Sequence, residues 1–216
     1  MKAQGLQPLG CRWPQPSTLN PQPSTLNDPA MIEVEIKFRV PSPDLIERLT
    51  REARLVFGEP LLQRDIYFNH PQRNFRETDE ALRIRTSGDQ NALTYKAPRL
   101  DTFTRTRPET EIPFLAGATS TEQMQSVLLA LGFRVIETVE KTRRVAPFTW
   151  EGQPVEVTLD EPRSLGTFLE IEMLAADDQW QLARDQIVRL AEHWQILDLR
   201  EPRSYLRMLL EQQGGL

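Results

Sequence analysis

Like charges recur in this chain at the spacing of one face of a strand. Glu33/Glu35, Glu109/Glu111 and Glu170/Glu172 are acidic pairs two residues apart, and Glu156 and Asp160 lie four apart. Arg83/Arg85, Arg105/Arg107 and Lys141/Arg143 are basic pairs, with Lys37 and Lys96 as single charges. Side chains at i, i+2 and i+4 of a strand share a face. A face of Arg and Lys grips phosphate oxygens, Arg in bidentate fashion. A face of carboxylates holds a hard divalent cation through oxygen. One cysteine and two histidines rule out a disulfide within the chain, a cysteine zinc cluster and a His-rich metal site. Any metal must therefore be held by carboxylates, which points to Mg²⁺ or Mn²⁺.

Two readings of these faces stand side by side. In one they are the solvated outside of a half-buried sheet. In the other they point into the lumen of a barrel, and Val34, Ile36, Leu82, Ile84, Val155, Val157, Leu169 and Ile171 pack outward against helices. A buried charge without a partner is costly. A charged lumen must then be wet, ligand-filled or internally neutralised, and the close balance of acids and bases meets that need.

The elements that must position these faces follow from periodicity. Strands are expected over Met31–Val40, Leu61–Asn69, Phe103–Phe114, Phe133–Glu140, Lys141–Thr149, Pro154–Asp160 and Thr167–Leu174. Ala81–Thr86 and Ala92–Ala97 read as a hairpin, and Trp150-Glu151-Gly152-Gln153 as a tight turn. Helices are expected over Pro43–Phe57, over Thr119–Leu131 with Thr119 or Ser120 as N-cap, over Asp177–Ile196 and over Ser204–Gln212. Trp180, Leu182, Ile187, Leu190 and Trp194 form the expected buried stripe of the third. The fold class is α+β, an eight-stranded antiparallel β-barrel with peripheral helices.

The 216 residues carry 26 Lys and Arg against 31 Asp and Glu, a formal net charge of −5, which excludes a generally basic nucleic-acid binder. No apolar run reaches the length of a membrane span, and no secretory signal is evident. The expectation is a cytoplasmic protein that binds neither nucleic acid nor membrane. Residues 1–30 hold a tandem heptad, Pro14–Asn20 repeated as Pro21–Asn27, and read as a disordered leader. Met31, opening the first patterned segment, is the expected natural start, with a single domain over 31–212.

Glu33-Val-Glu35-Ile-Lys37 resembles the ExExK signature of the CYTH superfamily, the triphosphate tunnel metalloenzymes. Its companions are similar to the CyaB-type pattern: Asp65–Pro71, Thr78–Arg85, Leu93–Pro98, Arg107-Pro-Glu-Thr-Glu111, Lys141-Thr-Arg143, Leu159-Asp160, Leu165–Glu172 and Glu201–Tyr205. The resemblance implies an eight-stranded triphosphate tunnel. It implies metal ligands at Glu33, Glu35, Glu170 and Glu172. It implies triphosphate contacts at Lys37, Arg83, Arg85, Lys96, Arg107, Lys141 and Arg143. Glu109, Glu111, Glu156 and Asp160 become further tunnel acids. Asn74, where related sequences carry Asp, and Pro108, inside the Arg-to-Glu strand, depart from the pattern.

The implied activity is a class IV (CyaB-type) adenylyl cyclase, a lyase turning ATP into cyclic AMP and pyrophosphate with Mg²⁺ or Mn²⁺. Lys37 or Lys141 would assist the leaving group catalytically. The alternatives are an inorganic or thiamine triphosphatase using the same cradle, and a non-catalytic nucleotide- or polyphosphate-binding module. Monomer and homodimer both fit. Ser204 and Tyr205 read as a helix start docked on the barrel, His70 as a turn residue, and His193 as a packing residue.

Overall fold

A computed structural model describes residues 31–214 of the 216. The expectations for residues 1–30 lie outside the described residues. Eight strands close into one antiparallel barrel: β1 (Ile32–Arg39), β2 (Leu61–Asn69), β3 (Ala81–Ser87), β4 (Gln90–Lys96), β5 (Arg107–Phe114), β6 (Arg134–Trp150), β7 (Gln153–Pro162) and β8 (Phe168–Ala175). Their order around the barrel is β1-β5-β4-β3-β2-β6-β7-β8. Four helices accompany them: α1 (Pro43–Glu52), α2 (Ala118–Ala130), α3 (Trp180–His193) and α4 (Tyr205–Gln212). No described helix is long and apolar enough to cross a membrane.

The apolar rows face outward, onto helices. Val34, Ile36, Val155, Val157, Leu169 and Ile171 form one core with Leu45 and Leu49 of α1 and Ile187, Leu190 and Ala191 of α3. Ile66, Phe68, Leu82 and Ile84 form a second with Leu128 of α2. Covering both sheet faces explains why seven consecutive residues of β1 are buried although they alternate in polarity. The buried stripe of α3 runs through Ala183, Ile187, Leu190 and Ala191 to Trp194, whereas Leu182 is exposed.

Several boundaries differ from the periodicity reading. The segments expected as two strands are one strand, β6, of 17 residues. Its first part pairs with β2 and its second with β7, and the two pairings overlap at Lys141–Arg143. No glycine or proline occurs from Arg134 to Ala146, so nothing breaks the extended chain at Glu140-Lys141. β5 begins at Arg107 instead of Phe103, because Asp101 Oδ2 accepts from the Thr104 amide (2.9 Å) and hydroxyl (2.6 Å) and folds residues 101–104 into a turn. Arg54, at φ 55°, follows the C-cap of α1 and stops it short of Phe57. Gly117, at φ 95°, caps α2 in place of Thr119 or Ser120. Glu151 and Gly152 both have positive φ, the geometry that turns β6 into β7 in two residues.

Pro108 lies at an end, where β5 meets β1. That seam has two registered pairs, Ile32↔Pro108 and Glu33↔Arg107, whereas β1 pairs with β8 from Ile32 to Arg39. The missing proline N–H is placed where the ladder is already ending.

Candidate active site: a charged lumen

The charged rows line the inside of the barrel, in a cavity of about 2180 Å³. Strand order sets their arrangement. Between β3 and β8 lie three strands in either direction, so Arg83 and Arg85 face Glu170 and Glu172 across the lumen. At one end Phe168 and Val139, which share strand parity with Glu170 and Lys141, meet Tyr205 and Met208 in an apolar layer.

The basic wall is held by buried aspartates. Arg85 binds Asp65 in bidentate fashion, Nε to Oδ1 at 2.7 Å and Nη2 to Oδ2 at 2.6 Å, and Arg83 reaches the same carboxylate at 3.5 Å. Burial pushes the Asp65 carboxyl up, but Arg85 and Arg83 overcome it and hold the group well below the usual carboxylate range. Asp160 plays the same part where β6 meets β7. It accepts from Lys141 Nζ at 2.7 Å, from Arg143 at 2.7 and 2.6 Å, and from the Tyr205 hydroxyl at 3.1 Å. Arg143 also binds Glu170. Burial, with Arg143 beside it, lowers Lys141 to about 8.

The seam between β5 and β1 is crossed by side chains. Lys96 Nζ lies 2.6 Å from both Glu33 and Glu109. Burial and the neighbouring Glu109 push the Glu33 carboxyl up, while Lys96 helps draw Glu109 down to about 2 against its own burial. The Arg105 amide donates to the Glu35 carbonyl at 2.8 Å, and its guanidinium sits 3.3 Å from the Glu35 carboxylate. Glu111 accepts from Thr94 at 3.0 Å. Arg107 donates to the carbonyls of Asp79 and Ala97.

What remains unpaired is specific. Lys37 Nζ is a buried donor with no acceptor, and Arg83 Nε is free although its Nη atoms reach Asp65 and Glu109, whereas Arg105 Nε and Glu35 Oε1, without hydrogen-bond geometry, face each other as an ion pair. Burial lowers Lys37 to about 7, with Arg105 adding to the effect. Glu35, Glu172 and Glu156 stand side by side in register across β1, β8 and β7. Burial pushes Glu172 well up, and Glu33, Glu156 and Glu35 push it further. Glu156 is raised too, by burial first, against the pull of Arg143. Such a row attracts a cation, and the donors of Lys37 beside it and of Arg83 across the lumen attract an anion. Among the described residues, no three His, Cys, Asp or Glu side chains are already gathered around one point.

The CYTH domain matches residues 31–205, most of the chain. The chain belongs to the CYTH family. A CYTH relative from Methanocaldococcus jannaschii, named "Putative adenylate cyclase", is 35% identical over 147 residues, 68% of this chain and 79% of that protein. The solved structure of the PH1819 protein from Pyrococcus horikoshii superposes with a TM-score of 0.72 at 34% identity, covering 83% of this chain and 99% of that one. A Hippeastrum protein, described as a "Putative adenylyl cyclase" that reveals a dominant triphosphatase activity, shares the fold at a TM-score of 0.55 and 18% identity, covering 86% and 97% of the two chains.

The lumen thus gathers Glu33, Glu35, Lys37, Arg83, Arg85, Lys96, Glu109, Glu111, Lys141, Arg143, Glu156, Glu170 and Glu172. Arg107 lines the same lumen, held by the Asp79 and Ala97 carbonyls of the connecting loops, and Asp160 is fully buried behind Lys141 and Arg143. Sequence reasoning left three residues out of this site. Asp65 opens a quoted CyaB-like segment but is a lone charge, and only strand register joins it to Arg85. Arg105 was paired with Arg107 by spacing, yet it sits in a loop strapped to β1. Tyr205 does start a helix capped by Ser204, as expected, and its hydroxyl also reaches Asp160. Asn74 organises a turn, accepting from Asn69 and the Arg76 amide.

Proposed function

We propose that the protein is a class IV, CyaB-type adenylyl cyclase that binds the triphosphate of ATP in this lumen and forms cyclic AMP and pyrophosphate with Mg²⁺ or Mn²⁺. One observation carries the reading. A closed barrel holds the acceptor-free Lys37 ammonium and the free Nε of Arg83 in one lumen with carboxylates crowded together without basic partners (Glu156, Glu172). An anion receptor has no use for those carboxylates, and a simple cation site has no use for the donors. A polyanion carried with a divalent cation uses both.

The donor set fits a hard cation. The crowded acceptors of the β1, β8 and β7 row are carboxylate oxygens, and their mutual repulsion is what a divalent charge relieves. The lack of a preformed cluster agrees with Mg²⁺ chemistry, in which one or two carboxylates share the ion with substrate phosphates. Glu33, Glu35, Glu170 and Glu172 are the proposed ligands. Glu170 is engaged by Arg143, Glu33 by Lys96 and Glu35 by Arg105, so Glu172, with Glu156 beside it, is the least committed of the row. When bound, the cation supplies charge neutralisation at the reacting phosphate.

The chain's own residues do the rest by positioning and electrostatics. Arg83, Arg85 and Arg143, fixed by Asp65 and Asp160, orient the phosphate oxygens. The ribose 3′-hydroxyl attacks the α-phosphorus and gives its proton to water, and the bridging bond to the β-phosphate breaks so that pyrophosphate leaves. Lys37 and Lys141, both with lowered pKa, hold a proton near the leaving pyrophosphate. The CyaB-like segments and the name of the archaeal relative favour the cyclase.

Hydrolysis is the second reading. Glu156, a raised carboxyl without a basic partner, is placed to accept a proton from an attacking water. Incubation with ATP, and separately with tripolyphosphate, in Mg²⁺ or Mn²⁺ separates the two. Cyclic AMP with pyrophosphate is the expected result. Orthophosphate with ADP from ATP, or with pyrophosphate from tripolyphosphate, and no cyclic AMP assigns a triphosphatase, and tight binding without turnover leaves only a binding module.

A further inference from the structure

The three lysines of the lumen differ in what holds them. Lys96 is taken by Glu33 and Glu109, and Lys141 by Asp160. Lys37 is 1% exposed and has no hydrogen-bond acceptor. It faces a ring instead: its Nζ lies 4.1 Å from the centroid of Tyr205.

That ring is fixed on every side. Its hydroxyl donates to Asp160 Oδ2 at 3.1 Å, Phe168 packs against it with centroids 5.2 Å apart, and Ser204 caps the helix it begins. The segment before it is tied to the strand that carries Lys37. The Glu201 amide donates to the Lys37 carbonyl at 2.8 Å, and Arg200 bridges to Phe38. The Glu201 carboxylate binds Arg39 of the same strand and Arg203. Strand, helix start and ring are therefore tied together.

A carboxylate at the place of Tyr205 would neutralise Lys37 and occupy its donors, as happens at Lys96. An aromatic face attracts the ammonium through its quadrupole and leaves its N–H groups free. Building on the proposed function, we infer that Tyr205 is a positioning residue: its ring orients the Lys37 ammonium toward the lumen while keeping its three donors for the phosphate oxygens of the substrate.

The test is calorimetric binding of tripolyphosphate with Mg²⁺ to the full chain. Tyr205→Phe and Tyr205→Leu are compared, alone and combined with Lys37→Met. Loss of the ring in Tyr205→Leu should weaken binding about tenfold. Tyr205→Phe, which keeps the ring and loses the hydroxyl, should restore most of that affinity. In the Lys37→Met background most of the difference between the Phe and Leu variants should vanish, because the other lysine over the ring, Lys141, lies further off at 5.2 Å and is held by Asp160. A second readout uses the unaltered protein and so holds even where the Leu variant fails to fold: the ε-methylene protons of Lys37 should be shifted upfield by the ring current. Equal binding by Phe and Leu variants, a difference undiminished by Lys37→Met, or unshifted methylene protons would each overturn the inference while leaving the lumen reading intact. Failure of the unaltered protein to bind tripolyphosphate would overturn both.

Discussion

Lys37 carries a cost to the ligand-free fold that its function explains. A buried ammonium without an acceptor loses its hydration and gains little in return. Lys37→Met keeps the volume and removes the charge. It should raise the melting temperature of the ligand-free protein, by about 1 kcal/mol or more in unfolding free energy, while lowering tripolyphosphate affinity at least tenfold. Calorimetry of both forms checks the pair of signs. Glu172→Gln makes the matching prediction on the acidic side. Removing one of the crowded carboxylates should stabilise the ligand-free protein and abolish the gain in activity on adding Mg²⁺, measured as a metal titration of turnover. The residues behind both predictions were legible in the sequence, because pairs at i and i+2 announce a shared face. Their partners were not. Asp65 and Tyr205 act through contacts to strands 20 or more residues away, Asp65 to Arg85 and Tyr205 to Asp160, and only register brings them together.

At the scale of elements, α4 is held by its approach more than by its own length of eight residues. Glu201, bound by Arg203 and Arg39, anchors that approach to β1. The Arg203 hydrogen bond draws the Glu201 carboxyl down to about 2, below its ordinary value of 4.5. A depressed carboxyl stabilises the fold fully above the unfolded pKa and loses that contribution as pH falls through the folded one. Glu201→Gln should therefore destabilise the protein by about 1 to 2 kcal/mol near neutral pH. The gap to the unaltered protein should shrink between about pH 4.5 and 2, followed by melting temperature against pH. Strand existence was readable from alternation throughout, but limits set by turns were not. The Asp101 turn cancels four residues of apparent β5, and the positive φ of Arg54 ends α1 early. The long β6 hid as two strands, since a break and a change of pairing partner look the same in one sequence.

Across the whole molecule, an inverted polarity governs both stability and chemistry. The apolar cores lie outside the barrel, between sheet and helices, and the ionic rows lie inside. This choice between two opposite faces was left open by strand alternation alone. The helices decide it, because α1 and α3 bring apolar stripes that only the apolar rows can cover. Within the lumen, acids and bases nearly balance, so a polyanion entering without a cation meets the Glu35, Glu156 and Glu172 row uncompensated. Tripolyphosphate should raise the melting temperature with Mg²⁺ present and much less in EDTA. Saturation at a hundredfold excess over the dissociation constant corresponds to about 2.7 kcal/mol. The most direct measurement is a crystal structure with tripolyphosphate and Mn²⁺, read with anomalous scattering. The account predicts a manganese peak inside the barrel against the carboxylates of β1 and β8, with phosphate density reaching Lys37, Arg83 and Arg143. Manganese and phosphate bound on the outer surface, with the lumen holding only water, would contradict it.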